Sequence, residues 1–207
     1  VAPRAIVTLP LGVLQRPAGS ADAVRFEPAL RRKVPALERL AAGAVLRVVL
    51  QYPAAFWEEL DQRRYCNASF FHSPYAAFPT VWTALPARTP LLVAWCGGPR
   101  AALLSNADEG DIVRRAVMSV RSLFGDRAGG AALPVATWVH NWQRDPYARG
   151  AYSYVTVGGQ DARRQLAAPL QRTLFFAGEA ADFEGEAGTV AGALRSGVRA
   201  ARELLQS

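Results

Sequence analysis

The C-terminal quarter constrains the fold more than any other stretch. An apolar run, Leu174-Phe175-Phe176-Ala177, stops abruptly at Gly178-Glu179. Beyond a Gly-rich turn, Gly188-Thr189-Val190-Ala191-Gly192-Ala193-Leu194-Arg195-Ser196-Gly197 opens a helix of small side chains. A buried strand, a turn and a helix follow from that order. Gly192, Ala193, Ser196, Gly197 and Ala200 leave room for another backbone or a flat ligand. The start of such a helix presents unpaired N–H groups and a partial positive charge, which suits a neighbouring anion. Glu179, just past the strand, can accept hydrogen bonds from hydroxyl groups. An ordinary strand–helix unit with a capping Glu would look the same, so these residues alone leave both readings open.

Elsewhere strands and helices mix. Ile6 to Leu14 reads as a strand running into a Pro/Gly turn, and Val34 to Leu40 as a short helix stopped by Gly43. Val45-Leu46-Arg47-Val48-Val49-Leu50-Gln51-Tyr52 is a strand of β-branched residues ended by Pro53. Ala68–His72, Val81–Ala84 and Leu91–Cys96 predict further strands of an antiparallel sheet, the last ended by Gly97-Gly98-Pro99. Asp108 to Phe124 predicts a helix capped by Asp108, with Ile112, Val113, Ala116, Val117, Val120 and Leu123 on one face. Val135–Trp142 reads as another strand. The expected class is mixed α/β and α+β, without repeats or low-complexity segments.

The net charge of +7 raises nucleic acid as a partner, but only Lys33 is lysine and the arginines are scattered. No zinc, homeodomain or RNP pattern accompanies them, so nucleic acid is not expected as a partner. No apolar run approaches the ~20 residues of a membrane span, and a cytoplasmic location is expected. Two cysteines, Cys66 and Cys96, and two histidines, His72 and His140, make neither a disulfide framework nor a metal site. Cys96 lies in an apolar run and reads as a small core residue, and both histidines read as structural. The chain opens on Val1 inside a strand-like segment, as a fragment would.

Several collinear blocks resemble the flavin-containing amine oxidases, a family that includes monoamine oxidases, polyamine oxidases and flavin-dependent lysine demethylases. Leu174–Glu203 resembles their C-terminal flavin motif, and Ile6–Leu14 the strand ending in Pro-Leu-Gly-Val-Leu. Phe26–Leu30 resembles the loop after it, and Val45–Trp57 the substrate-domain strand leading to a Phe-Trp pair. Trp142 to Tyr154 resembles the block lying against the flavin. The resemblance implies the C-terminal part of a two-domain FAD-dependent fold. Residues 1–20 and 148–207 would belong to the FAD-binding domain and residues 21–147 to a substrate domain. It implies oxidation of a small-molecule amine to an imine by hydride transfer to flavin N5, with oxygen or another acceptor reoxidising the flavin. A related oxidase or desaturase acting on a non-amine, or a non-catalytic remnant, stands as the alternative.

Block by block, Glu179 resembles the carboxylate on the flavin ribityl chain, with Gly178 permitting close approach, and Thr189 and Val190 fall where a helix start faces the pyrimidine ring. Trp142 resembles the tryptophan packed near the isoalloxazine, and Tyr152 an aromatic flanking the substrate amine. Ala151 stands where monoamine oxidases carry the cysteine that holds flavin covalently, so FAD is expected to bind non-covalently. The second aromatic of their cage falls on Thr189. Arg47 aligns with the lysine that holds a water at flavin N5, and arginine is larger, planar and not readily deprotonated. No Gly-x-Gly-x-x-Gly dinucleotide fingerprint occurs, so the chain alone is expected to hold FAD poorly and to be inactive.

Overall fold

The structure is a computed structural model that describes residues 2–207, apart from the side chains of Asp126 and Ala128. In chain order it contains β1 (Ala5–Val7), α1 (Leu11–Leu14), α2 (Val34–Glu38), β2 (Leu40–Ala42), β3 (Val45–Gln51) and β4 (Phe70–His72). β5 (Thr80–Thr83), β6 (Leu91–Gly97), α3 (Gly98–Leu104), α4 (Glu109–Phe124) and β7 (Ala136–Asn141) follow. The chain then forms β8 (Ser153–Val155), α5 (Ala162–Ala167), β9 (Leu174–Phe176) and α6 (Val190–Leu205). Two compact units result, one from residues 1–43 with 142–207 and the other from 44–141. Residues 21–43 and 142–147 therefore pack with the two ends of the chain, whereas the sequence groups them with 44–141. No helix among the described residues is long and apolar enough to cross a membrane.

In the first unit β1 and β9 pair in parallel, Ile6 opposite Phe175, so the expected meeting of the chain's two ends is observed. β2 and β8 pair antiparallel, Ala41 opposite Tyr154. Leu11, Ala36, Leu40, Ala162 and Leu166 form one apolar cluster, and Phe175, Ala177 and Ala200 a second beneath α6. The strand expected over residues 6–14 ends at Val7, and Leu11–Leu14 is a helical turn. Pro10 has no N–H for a ladder, and its carbonyl accepts from Val13 and Leu14 instead. Leu40–Ala42 leaves the predicted helix to pair with β8, a partner that local periodicity does not reveal.

Lys33 is almost fully buried in this unit. Its Nζ donates to the carbonyls of Gln165 at 2.8 Å, Leu166 at 3.0 Å and Ala168, and lies 4.5 Å from the centre of the Phe176 ring. Three carbonyls at the end of α5 match the three donors of an ammonium, and a cation there also suits the helix dipole.

The second unit is a five-stranded antiparallel sheet in the order β4-β5-β6-β3-β7. Along β3 the side chains alternate. Leu46, Val48 and Leu50 are buried with Leu92, Ala94 and Cys96 of β6 against Ile112, Ala116, Val120 and Phe124 of α4. Each of the Leu, Ile, Val and Phe side chains removed from water contributes roughly 1.5–3 kcal/mol. Asp108 caps α4, accepting from Asp111 N–H at 2.8 Å. The Gly97-Gly98-Pro99 turn does end β6, but it also starts α3, with proline in the first turn where a missing N–H costs nothing.

Candidate functional site

Within the first unit the site is built around the end of β9. Phe175 and Phe176 bury the strand, and the chain then turns at Gly178 with φ of 124°, a conformation that L side chains avoid. Gly178 N–H donates to the buried Ser196 Oγ at 2.8 Å, which fixes the turn against α6. A Cβ built on Gly178 would meet nothing within 4 Å, so the space beside it is open.

Glu179 then gathers three donors from its own chain. One carboxylate oxygen accepts from Ser153 N–H at 3.1 Å, and the other from Ser153 Oγ at 2.8 Å and Gly188 N–H at 2.9 Å. Arg163 backs the network, donating to Ser153 Oγ at 2.7 Å, to Ser153 O at 3.0 Å and to the carbonyls of Glu179 and Ala180. Burial pulls the Arg163 guanidinium below its usual value, while the charges of Glu179 and Asp182 oppose the shift. A carboxylate offers about four acceptor directions, so roughly one remains for a hydroxyl from outside.

The network places Tyr152 beside the start of α6. Ser153 is tied to Gly188 through Glu179, and a Cβ on Gly188 would lie 3.5 Å from Tyr152 Cβ. Gly43 holds the same loop from behind, exchanging hydrogen bonds with Ala151 N–H at 2.8 Å and Tyr152 O at 2.9 Å. Trp142 joins through its carbonyl, which accepts from Gly150 N–H at 2.8 Å. Tyr152 is half exposed, and Thr189 and Val190 are exposed.

Thr189 is the N-cap of α6: its Oγ accepts from Gly192 N–H at 3.0 Å and donates to Glu186 O at 2.7 Å. Gly192 is required by crowding, since a Cβ there would fall 2.2 Å from Glu186 O. That Cβ would also lie 3.2 Å from Cγ of Asp182, a carboxylate buried at the helix start that accepts from Glu186 N–H at 2.8 Å. The helix dipole thus already meets one anion of the chain itself.

Tyr152, Trp142, Gly178, Glu179, Thr189 and Val190 all belong to this unit. Ser153, Arg163 and Asp182 were missed by sequence reasoning. Asp182, four residues before Glu186 in a Gly-rich turn, carried an Asx-turn signal; Ser153 and Arg163 carried none.

Arg47 belongs to the second unit. β3 is flanked by β6 and β7, so Arg47 is not an edge-strand charge; it stands exposed on the open sheet face, opposite Trp95 and His140 in register. Phe70, Trp82, Val93, Val49 and Trp138 occupy successive register positions on the same face. The Trp95 indole folds over Gly97, where a Cβ would come within 2.5 Å of it. Arg47 therefore places a permanent positive charge on a sheet face that also carries aromatic side chains.

The family model of flavin containing amine oxidoreductases matches residues 1–205. The chain belongs to this family. Among curated relatives it is 36% identical to lysine-specific histone demethylase 1 homolog 3 of Arabidopsis thaliana, over 97% of this chain and 12% of that protein. It is 32% identical to human lysine-specific histone demethylase 2, over 98% of this chain and 24% of that protein. Among solved structures, cyclohexylamine oxidase from Brevibacterium oxydans superposes with a TM-score of 0.75 at 22% identity, covering 97% of this chain and 42% of that one. Putrescine oxidase bound to putrescine gives 0.78 at 20% identity, covering 99% and 43%. These two likenesses establish the fold: a mixed α/β architecture that is part of the amine oxidase fold. The chain spans about a quarter or less of these two demethylases and less than half of the oxidases.

The residues present suit a flavin. The open space beside Gly178, the remaining acceptor direction on Glu179 and the exposed first turn of α6 are features that a flat, hydroxyl-bearing, partly anionic group requires.

Proposed function

We propose that this chain forms the flavin-edge and substrate portions of an FAD-dependent amine oxidase, the first unit serving FAD and the second the substrate. The observation that carries this reading is the hydrogen-bonded assembly of Ser153, Glu179 and Gly188, which brings Tyr152 against the start of α6. Gly178, Glu179, Thr189, Val190 and Trp142 hold the cofactor, and Ala151 leaves it non-covalent. When bound, FAD supplies the two-electron acceptor that turns an amine into an imine. Tyr152 orients the amine with its ring face, and Arg47 stands at the sequence position of the family lysine that holds a water at flavin N5. The relatives named for lysine demethylation, cyclohexylamine and putrescine support an amine as substrate.

The test adds FAD to the 207-residue chain and to a polypeptide extended to the full length of the family fold. The extended form is expected to take up FAD and to bleach when an amine is added without oxygen. The short chain is expected to hold FAD weakly and to show no turnover. Failure of the extended form to bind FAD would overturn the reading, and binding without amine-dependent bleaching would shift it to a non-amine substrate. In the extended form Arg47→Lys is expected to speed reoxidation by oxygen while leaving reduction by amine little changed. Equal rates in both half-reactions would make Arg47 a structural charge.

A further inference from the structure

The flank of α4 carries a groove lined by none of the residues placed at the candidate flavin site. It encloses about 540 Å³ between the helix and the segment 73–77, and its walls include Tyr75, Ala77, Asp111, Arg114, Arg115 and Met118. Both walls are tied in place. Phe78 N–H donates to Ser119 Oγ of α4 at 3.1 Å, and Arg100 of α3 donates to the carbonyls of Ala76 at 2.9 Å and Pro74 at 3.1 Å. The groove runs along the flank of α4 beside its buried face, with Ser119 at its inner edge and the connection between β4 and β5 as its other wall.

Its chemistry is specific. Tyr75 is 98% exposed and Met118 63% exposed, two large apolar groups bordering one open groove. Scattered exposed apolar residues are ordinary; a pair that shares one groove with cations is not. Asp111 receives one contact from Arg114 and one from Arg115, the latter at 2.8 Å. Two guanidinium groups on one carboxylate leave a positive charge in excess and several N–H donors unspent. Arg121 adds another exposed cation further along the helix, and the chain as a whole carries +7.

We propose that this groove docks a short acidic peptide segment of a partner protein, with an apolar side chain seated between Tyr75 and Met118 and carboxylates on Arg114 and Arg115. Guanidinium forks match carboxylates bidentately. A nucleic-acid strand fits less well, because Asp111 would repel a continuous row of phosphates and the groove offers a single ring, Tyr75, for stacking.

Fluorescence anisotropy of the 207-residue chain with a labelled peptide alternating Glu and Leu tests the assignment. Saturable binding is expected, weakened about tenfold by Tyr75→Ala, the loss of one exposed aromatic anchor. Arg114→Ala with Arg115→Ala is expected to weaken it similarly and to remove most of its salt dependence, with partial recovery in the double Lys variant. The Gln-for-Glu peptide is expected to bind poorly. Tyr75 is too exposed for its loss to disturb folding. Unchanged affinity in Tyr75→Ala, equal binding of the Gln peptide, or no binding at all would overturn the proposal. Tighter binding of labelled oligothymidylate at the same residues would reassign the groove to nucleic acid.

Discussion

Glu179→Gln separates a residue that builds the site from one that only touches cofactor. Glu179 accepts from Ser153 N–H, Ser153 Oγ and Gly188 N–H through two oxygens. Glutamine keeps one acceptor oxygen. Whichever way its amide turns, an NH₂ group then faces a backbone N–H, that of Ser153 or of Gly188. One charge-assisted bond is lost and the others weaken to neutral strength, a local cost of ~2–3 kcal/mol. Part of this is felt only when the segments 151–153 and 186–189 open together, so the effect belongs to local exchange more than to global unfolding. Peptide-resolved hydrogen–deuterium exchange on the 207-residue chain without flavin should show Ser153 and Gly188 exchanging ~30- to 150-fold faster. The β3–β6 ladder should not change. Unaltered exchange at Gly188 would refute the reasoning: Glu179 would then be an unburdened ligand waiting for a hydroxyl, and Tyr152 would owe its position to other contacts.

Tyr52 is buried with its hydroxyl unpartnered among the described residues, so Tyr52→Phe should leave stability unchanged or raise it by about 1 kcal/mol, read from urea melts. Burial pushes the Cys96 thiol up to about 11, whereas Cys66 is partly exposed; at neutral pH a thiol reagent should label Cys66 quickly and Cys96 only on unfolding. Burial, then the nearby Arg199 charge, pulls Lys33 down to about 8 from 10.5, although three carbonyls hold its proton. The unfolded chain therefore binds more protons between about pH 8 and 10.5, so this group makes stability rise with pH there and fall again as pH drops through about 8. Lys33→Met should flatten that rise relative to the parent when urea melts are compared across the window; an unchanged slope would mean that the carbonyls restore an ordinary lysine.

Period and punctuation made the large elements legible. The alternation in Val45–Gln51 and the apolar face of Asp108–Phe124 survive intact because each is long enough for one face to dominate, and Asp108 caps as its type predicts. The short elements were not legible for the opposite reason. Leu11–Leu14 and Leu40–Ala42 are too brief for any period to show, and what decides them is a nonlocal partner or the missing N–H of Pro10. Similarly, Glu179 was visible as a carboxylate at a strand end, but its engagement by Ser153 and Gly188 depends on where β8 lands, and β8 was not foreseen.

The pairings explain why separated sequence blocks carry the family likeness together while each alone is ambiguous. β1 with β9, and β2 with β8, join the start of the chain to its end, and β3 with β7 joins the two ends of the intervening segment. Gly43 and Trp142 are where the chain passes between units, and both are bonded to the Gly150–Tyr152 loop. A shift of one residue at β2 would move Gly43 off Ala151 and Tyr152, and with it the ring beside α6. The segments at β1, β2, β8 and β9 are therefore each constrained by a partner more than a hundred residues away, and the Gln143–Gly43 hydrogen bond spans a separation of 100. Local propensity sees one half of each such pair, which is why the residues around Gly178 and Glu179 fit an ordinary strand–helix unit until the rest of the chain is read with them.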